Sequence, residues 1–130
     1  MSKIIILDGP KNSGKTSTMN IVLQLIYKQL QVTHPPHTIN YANNSTDFSG
    51  YLYFNGKKIV FKSAGDSSND VCQTIKSCTN YDVLICTNRE FIRPRQLVPP
   101  QNIIQKKKSV NRKDIWWDNF ACANQIISKI

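Results

Sequence analysis

The chain has few acids, no closely paired cysteines and no long apolar run, and each shortage excludes something. Its four cysteines, Cys72, Cys78, Cys86 and Cys122, include no CxxC pair, whereas a zinc site needs close pairs with matching partners. Each lies among apolar or small residues, so reduced, packed thiols are expected. The two histidines, His34 and His37, flank Pro35-Pro36. Proline favours an extended turn there over a helix that would align two ligands, which makes them loop residues. The apolar run Ile4 to Leu7 is too short for a signal peptide or a membrane span, and no other segment is long enough for one. A soluble, cytoplasmic protein without a membrane partner is expected. The sequons Asn43-Asn44-Ser45 and Asn44-Ser45-Thr46 carry no meaning without a secretion signal.

What is present is enough for one core. At 130 residues and 40% hydrophobic, a single domain spanning 1–130 is expected, and no low-complexity tract argues for disorder. Eight Asp and Glu face seventeen Lys and Arg, a formal net charge of +9. Residues 89–113 alone carry eight basic groups against Glu90, a net +7. A positive field concentrated in this way suits phosphate-bearing partners.

Lys3 to Leu7 reads as a buried strand, four consecutive aliphatic residues without alternation. Gly9 and Pro10 break it. A helix is expected over about Lys15 to Leu30, with Met19, Val22, Ile26 and Leu30 on one stripe. Thr38 to Tyr41 reads as a short strand and Asn43 to Gly50 as a polar loop. Tyr51 to Phe54, Asn55-Gly56 and Lys57 to Phe61 make a β-hairpin, because Asn-Gly supplies the two positive φ values of a type I′ turn. Ser67 to Cys78 reads as a helix that Ser67 caps. Asp82 to Cys86 is a second buried strand. Arg89 to Pro100 reads as a loop and Ile103 to Val110 as an edge strand whose lysines suit an edge. A last helix starts near Asp114, with Trp116, Phe120, Ala123, Ile127 and Ile130 as its apolar stripe. Strands alternating with helices imply an α/β fold: a mostly parallel sheet, helices on both faces and an antiparallel hairpin.

One motif carries chemistry. Gly9-Pro10-Lys11-Asn12-Ser13-Gly14-Lys15-Thr16 matches GxxxxGK[ST], directly after a buried strand and directly before an amphipathic helix. Glycines let the backbone wrap closely, so successive N–H groups point inward and cradle an anion. The first helical turn adds unsatisfied amides and the positive dipole end, which extends the anion site over Ser17. Lys15 suits the β- and γ-phosphates, and the Thr16 hydroxyl suits magnesium. A nucleoside triphosphate with magnesium, ATP before others, is the expected ligand.

The stretch Ile4 to Thr18 resembles the start of P-loop nucleoside and nucleotide kinases. Its Asp-Gly-Pro opening and Ser-Gly-Lys end are particularly similar to the cytidylate kinase loop. That resemblance implies ATP, magnesium and phosphoryl transfer to a small acceptor, and it covers about the first 20 residues. Over most of its length the chain is similar to small P-loop NTPase-like proteins, through a strand ending in Ser63 to Asp66 and a second strand, Asp82 to Arg89. This likeness implies a small three-layer P-loop NTPase fold and nucleotide binding.

The remaining site residues are weighed by position. Asp66 follows a buried strand and is the best second acid for magnesium; it equally suits a helix cap. Ser63 stands where such an acid usually does. Asp8 suits the orientation of water or a substrate hydroxyl. Asp82 begins its strand, the wrong end for phosphates in a parallel sheet. Arg89 and Arg93, with Arg95 beyond, follow a strand end on the phosphate side, so either of the first two suits a catalytic arginine; the alternative is solvated loop charge. No DxxG starts at Asp66, and Thr87-Asn88-Arg89-Glu90 resembles NKxD only faintly, which favours adenine over guanine. Lys106, Lys107, Lys108, Arg112 and Lys113, with Trp117 to stack bases, make 89–113 a possible nucleic-acid segment. The alternative is a solvated edge with Trp116 in the core. Two functions follow: a small ATPase or kinase-like phosphotransferase using Lys15, Asp66, Arg89 and Arg93, or a nucleotide-regulated nucleic-acid-binding or accessory module without efficient turnover.

Overall fold

A computed structural model describes residues 2–30, 40–41, 48–63 and 67–130. The expectations for His34, His37, both sequons, Thr38-Ile39 and Asp66 lie outside the described residues.

The elements are β1 (Lys3–Asp8), α1 (Lys15–Leu30), β2 (Asn40–Tyr41), β3 (Phe48–Phe54), β4 (Lys57–Lys62), α2 (Ser68–Ser77), β5 (Val83–Asn88), α3 (Ile92–Gln96), β6 (Ile103–Gln105) and α4 (Ile115–Lys129). Six strands form one mixed sheet in the order β2-β3-β4-β5-β1-β6. β4, β5, β1 and β6 run parallel; β2 and β3 add antiparallel pairs. Ile5, Leu7, Phe61 and Ile85 face Met19, Val22 and Ile26 of α1 and Ala123 and Ile126 of α4. Ile6 and Cys86 face the opposite way, toward Val71 and Ile75 of α2 and Val98. Burial on both faces is why β1 is continuously aliphatic. Asn55 (φ 51) and Gly56 (φ 76) close the hairpin as a type I′ turn. The Ser67 hydroxyl caps α2 by accepting from the Asp70 amide at 3.1 Å.

Four expectations need correction. The hairpin's first strand begins at Phe48, inside the expected polar loop. The expected loop from Arg89 to Pro100 contains α3. Pro94 is its third residue, where the missing N–H has no intrahelical partner to lose. The edge strand ends at Gln105 and does not reach Val110, because its register partner Asp8 is the last residue of β1. Finally, α4 buries Asn119, Ala123 and Ile126, while Trp116 is 54% exposed and Trp117 64%. Lys3 Nζ donates to the Lys129 carbonyl and Lys57 Nζ to that of Ile130, which fixes the helix end at the starts of β1 and β4. Ten residues back, about 15 Å at the helical rise, Asn119 lies against Gly14 beyond the far end of β1. The first turn of α4 therefore projects past the end of β1, and Trp116 is left largely exposed.

All four cysteines are free, and Cys72 and Cys86 are buried. Burial, with Cys78 adding to it, pushes the Cys86 thiol up to about 12.

Candidate functional site

β1 and β5 stop at one level, Asp8 opposite Asn88, and β4 stops two residues earlier, Lys62 opposite Cys86. Beyond these ends lies a cavity of about 430 Å³. The Gly9–Thr16 loop and first turn of α1 line it with Lys11, Asn12, Gly14, Lys15, Thr16 and Ser17. Ser63, Thr87 and Arg89 close it from the ends of β4 and β5. The Thr87 hydroxyl donates to the Ser63 carbonyl at 2.9 Å and ties those two ends together.

Neither glycine of the loop admits a side chain. A methyl group on Gly9 would run into the Lys106 carbonyl and come within 2.8 Å of the Ser13 hydroxyl. Gly14 has φ +93, and a methyl group there would lie 2.5 Å from Asn119 Oδ1. Asn12 is left-handed as well (φ 62), a conformation that Asn tolerates better than most residues. Thr18 closes the loop into the helix, its amide and hydroxyl both donating to the Gly14 carbonyl at 2.9 and 2.7 Å.

Lys15 is 8% exposed, and its ammonium donates to the Gly9 carbonyl at 2.8 Å and the Pro10 carbonyl at 2.6 Å. Two of its three donors thus hold the charge over the loop's own concavity. Burial lowers its pKa from the usual 10.5; the neighbouring Arg89 lowers it further, and Asp8 acts in the opposite sense. Two cations held against each other mark a place suited to an anion.

Asp8 does not orient water or substrate. It is fully buried, and both of its oxygens accept from protein donors. Oδ1 takes Asn88 Nδ2 at 3.0 Å and the Glu90 amide at 2.9 Å. Oδ2 takes Arg95 Nε at 2.6 Å and Gln105 Nε2 at 3.0 Å. Its main-chain carbonyl receives the Lys106 amide at 2.6 Å, and the Gly9 amide donates to the Asn88 carbonyl at 3.1 Å. One carboxylate thus pins the root of the loop to the β5–α3 turn and to β6. In that turn Asn88 Nδ2 also donates to the Phe91 carbonyl at 3.0 Å, and Glu90 is left-handed (φ 62). The turn so held presents Arg89 to the cavity.

The sequence-derived candidates sort accordingly. Lys11, Asn12, Gly14, Lys15, Thr16, Ser17 and Arg89 meet at the cavity; Ser13 is buried under the loop. Arg93 is not among the lining residues and donates to Asn69 Oδ1 at 2.9 Å on an exposed face. Lys106 is not part of a solvated edge. It is 2% exposed, and its ammonium donates to the Lys107 carbonyl at 2.9 Å. Asp82 sits at the opposite end of the sheet, accepting from the Lys58 amide at 2.7 Å. Arg95 and Gln105 were not foreseen as partners of Asp8. The available signal was the acid itself, since a carboxylate ending a buried strand must find donors.

Among the described residues, no group of three or more His, Cys, Asp or Glu is placed to hold a metal, and no helix is long and apolar enough to cross a membrane. Compared with known proteins, the chain matches no family model, no curated protein and no solved structure.

Proposed function

We propose that the chain binds a nucleoside triphosphate through its phosphates, ATP before other nucleotides, as a small P-loop NTPase or kinase-like phosphotransferase. One observation carries the reading: a nearly buried lysine, an arginine and a helix N-terminus converge on a single cavity behind two glycines that close packing requires. Its volume, about 430 Å³, lies in the range of small-molecule sites. The donor set fits a polyphosphate: Lys11, Lys15 and Arg89 supply positive charge, and the first turn of α1 supplies N–H groups without intrahelical carbonyls.

Magnesium would be held by the Thr16 hydroxyl together with phosphate oxygens, with Ser63 a neutral oxygen at the same cavity and Asp66 the proposed acid. When bound, the ion neutralises phosphate charge and polarises the transferring group. Lys15 holds the β- and γ-oxygens, the loop amides fix the phosphate chain, and Arg89 meets charge developing on the terminal phosphoryl group. The preference for adenine over guanine rests on the sequence, where Thr87-Asn88-Arg89-Glu90 resembles NKxD only faintly.

Turnover of magnesium-ATP, alone and with a panel of nucleosides and nucleotides as acceptors, tests this. Thr16→Ala should weaken magnesium-dependent binding more than magnesium-free binding. Tight binding with no turnover under any condition would assign the chain to an accessory module regulated by nucleotide.

A further inference from the structure

The segment between β6 and the first turn of α4 combines two features that do not arise from packing. Lys107, Lys108, Arg112 and Lys113 are all exposed, four cations within seven residues. The nearest acids take their hydrogen bonds from other groups. Asp118 accepts from the Ser109 hydroxyl at 2.7 Å and Asp114 from Asn111 Nδ2 at 3.4 Å, both neutral partners. One turn on stand Trp116 and Trp117, 54% and 64% exposed. Trp116 stacks on Phe120 with ring centroids 5.0 Å apart and planes at 12°; Trp117 stands at 84° to Trp116 and 90° to Phe120. These ring contacts leave both indoles more than half exposed, although burying a Trp is strongly favourable.

We infer that this surface binds single-stranded nucleic acid, its cations taking successive phosphates and Trp117 stacking a base. Cations beside exposed aromatic faces are the chemistry such strands select, because every base has a π-face and every linkage a charge. An anionic bilayer is the other partner of basic and aromatic residues. It is disfavoured because Asp114 lies one helical turn before Trp117 and Asp118 immediately after it. Inserting the indole would drag both carboxylates toward the apolar layer. A single strand keeps them in water.

Fluorescence anisotropy of labelled oligothymidylate and oligouridylate, titrated with the full chain over a salt series, tests the inference. Four phosphate contacts predict a log–log salt slope of about −3, at about −0.7 each. Lys107→Gln with Lys108→Gln should flatten the slope by about 1.4. Trp117→Ala should weaken binding about 5- to 100-fold, as loss of one stacked base does, and Trp117→Phe should restore most of it. Indole fluorescence should be quenched on binding. Lys107, Lys108 and Trp117 all lie outside the cavity lining, so ATP affinity should be unchanged in each variant, and melting temperature unchanged in the lysine variant. Oligonucleotide binding that all three variants leave intact would move the strand to other cations and overturn the inference. Capture by phosphatidylserine vesicles without oligonucleotide binding would overturn it as well.

Discussion

Replacing Asp8 by Asn tests whether one buried carboxylate holds the site together. Asn keeps an oxygen at Oδ1, which still accepts from Asn88 and from the Glu90 amide. Its Nδ2 takes the place of Oδ2 and confronts Arg95 Nε and Gln105 Nε2, donor against donor. Two bonds to a charged acceptor are lost, each worth roughly 1.5–3 kcal/mol. The Arg95 side chain is 35% exposed, so water recovers part of that loss. The expected net destabilisation is about 2–4 kcal/mol. At about 4 °C per kcal/mol for a chain of this size, the melting temperature should fall by about 8–16 °C. Urea unfolding followed by circular dichroism should show a lower midpoint at an unchanged slope. A double-mutant cycle with Arg95→Met should return a coupling above about 1 kcal/mol, since the two residues are in direct contact. A change under about 0.5 kcal/mol for Asp8→Asn, or additive single mutants, would show that the buried carboxylate is not the fastener described above.

Three further outcomes follow from the same geometry. Gly56→Ala meets nothing within 4 Å and suffers only from its φ of +76, so it should cost about 1 kcal/mol; Gly14→Ala adds a clash with Asn119 and should cost about 2–4 kcal/mol and impair ATP binding, both read by denaturant titration. Arg89→Ala should reduce turnover by orders of magnitude while leaving ATP affinity mostly intact, because its charge acts chiefly on the transition state; steady-state kinetics beside calorimetry checks this, and Arg93→Ala, bonded to Asn69, should retain turnover. The lowered pKa of Lys15 sets a pH dependence: the protonated form binds phosphate, so ATP affinity should fall on the alkaline side before an ordinary lysine at 10.5 titrates, and Lys15→Ala should remove that limb.

Local signals carried far and tertiary ones did not. The GxxxxGK[ST] spacing, the Asn55-Gly56 turn and the Ser67 cap are written in adjacent residues, and the sequence reading placed each element they define. The sheet's two-sided burial was likewise legible in the aliphatic run of β1. The partners of Asp8 were not, because Asn88, Glu90, Arg95 and Gln105 lie 80 to 97 residues away and converge only once β1 sits between β5 and β6. Periodicity put Trp116 in the core because it encodes which side of a helix is apolar, not how far the sheet beneath extends. Lys106 read as a surface lysine, yet its backbone extends the β1 edge by one more bond, and that pins its stem inward.

The central claim rests on Lys15. Isothermal titration of ATP into the wild-type chain and into Lys15→Ala, each with and without magnesium, measures it most directly. Binding to the wild type should be saturable and strengthened by magnesium, and the variant should lose about 100-fold or more, the scale of one charge-assisted phosphate contact of roughly 3 kcal/mol. Equal affinities for the two proteins, or no binding by the wild type at millimolar ATP, would contradict the claim.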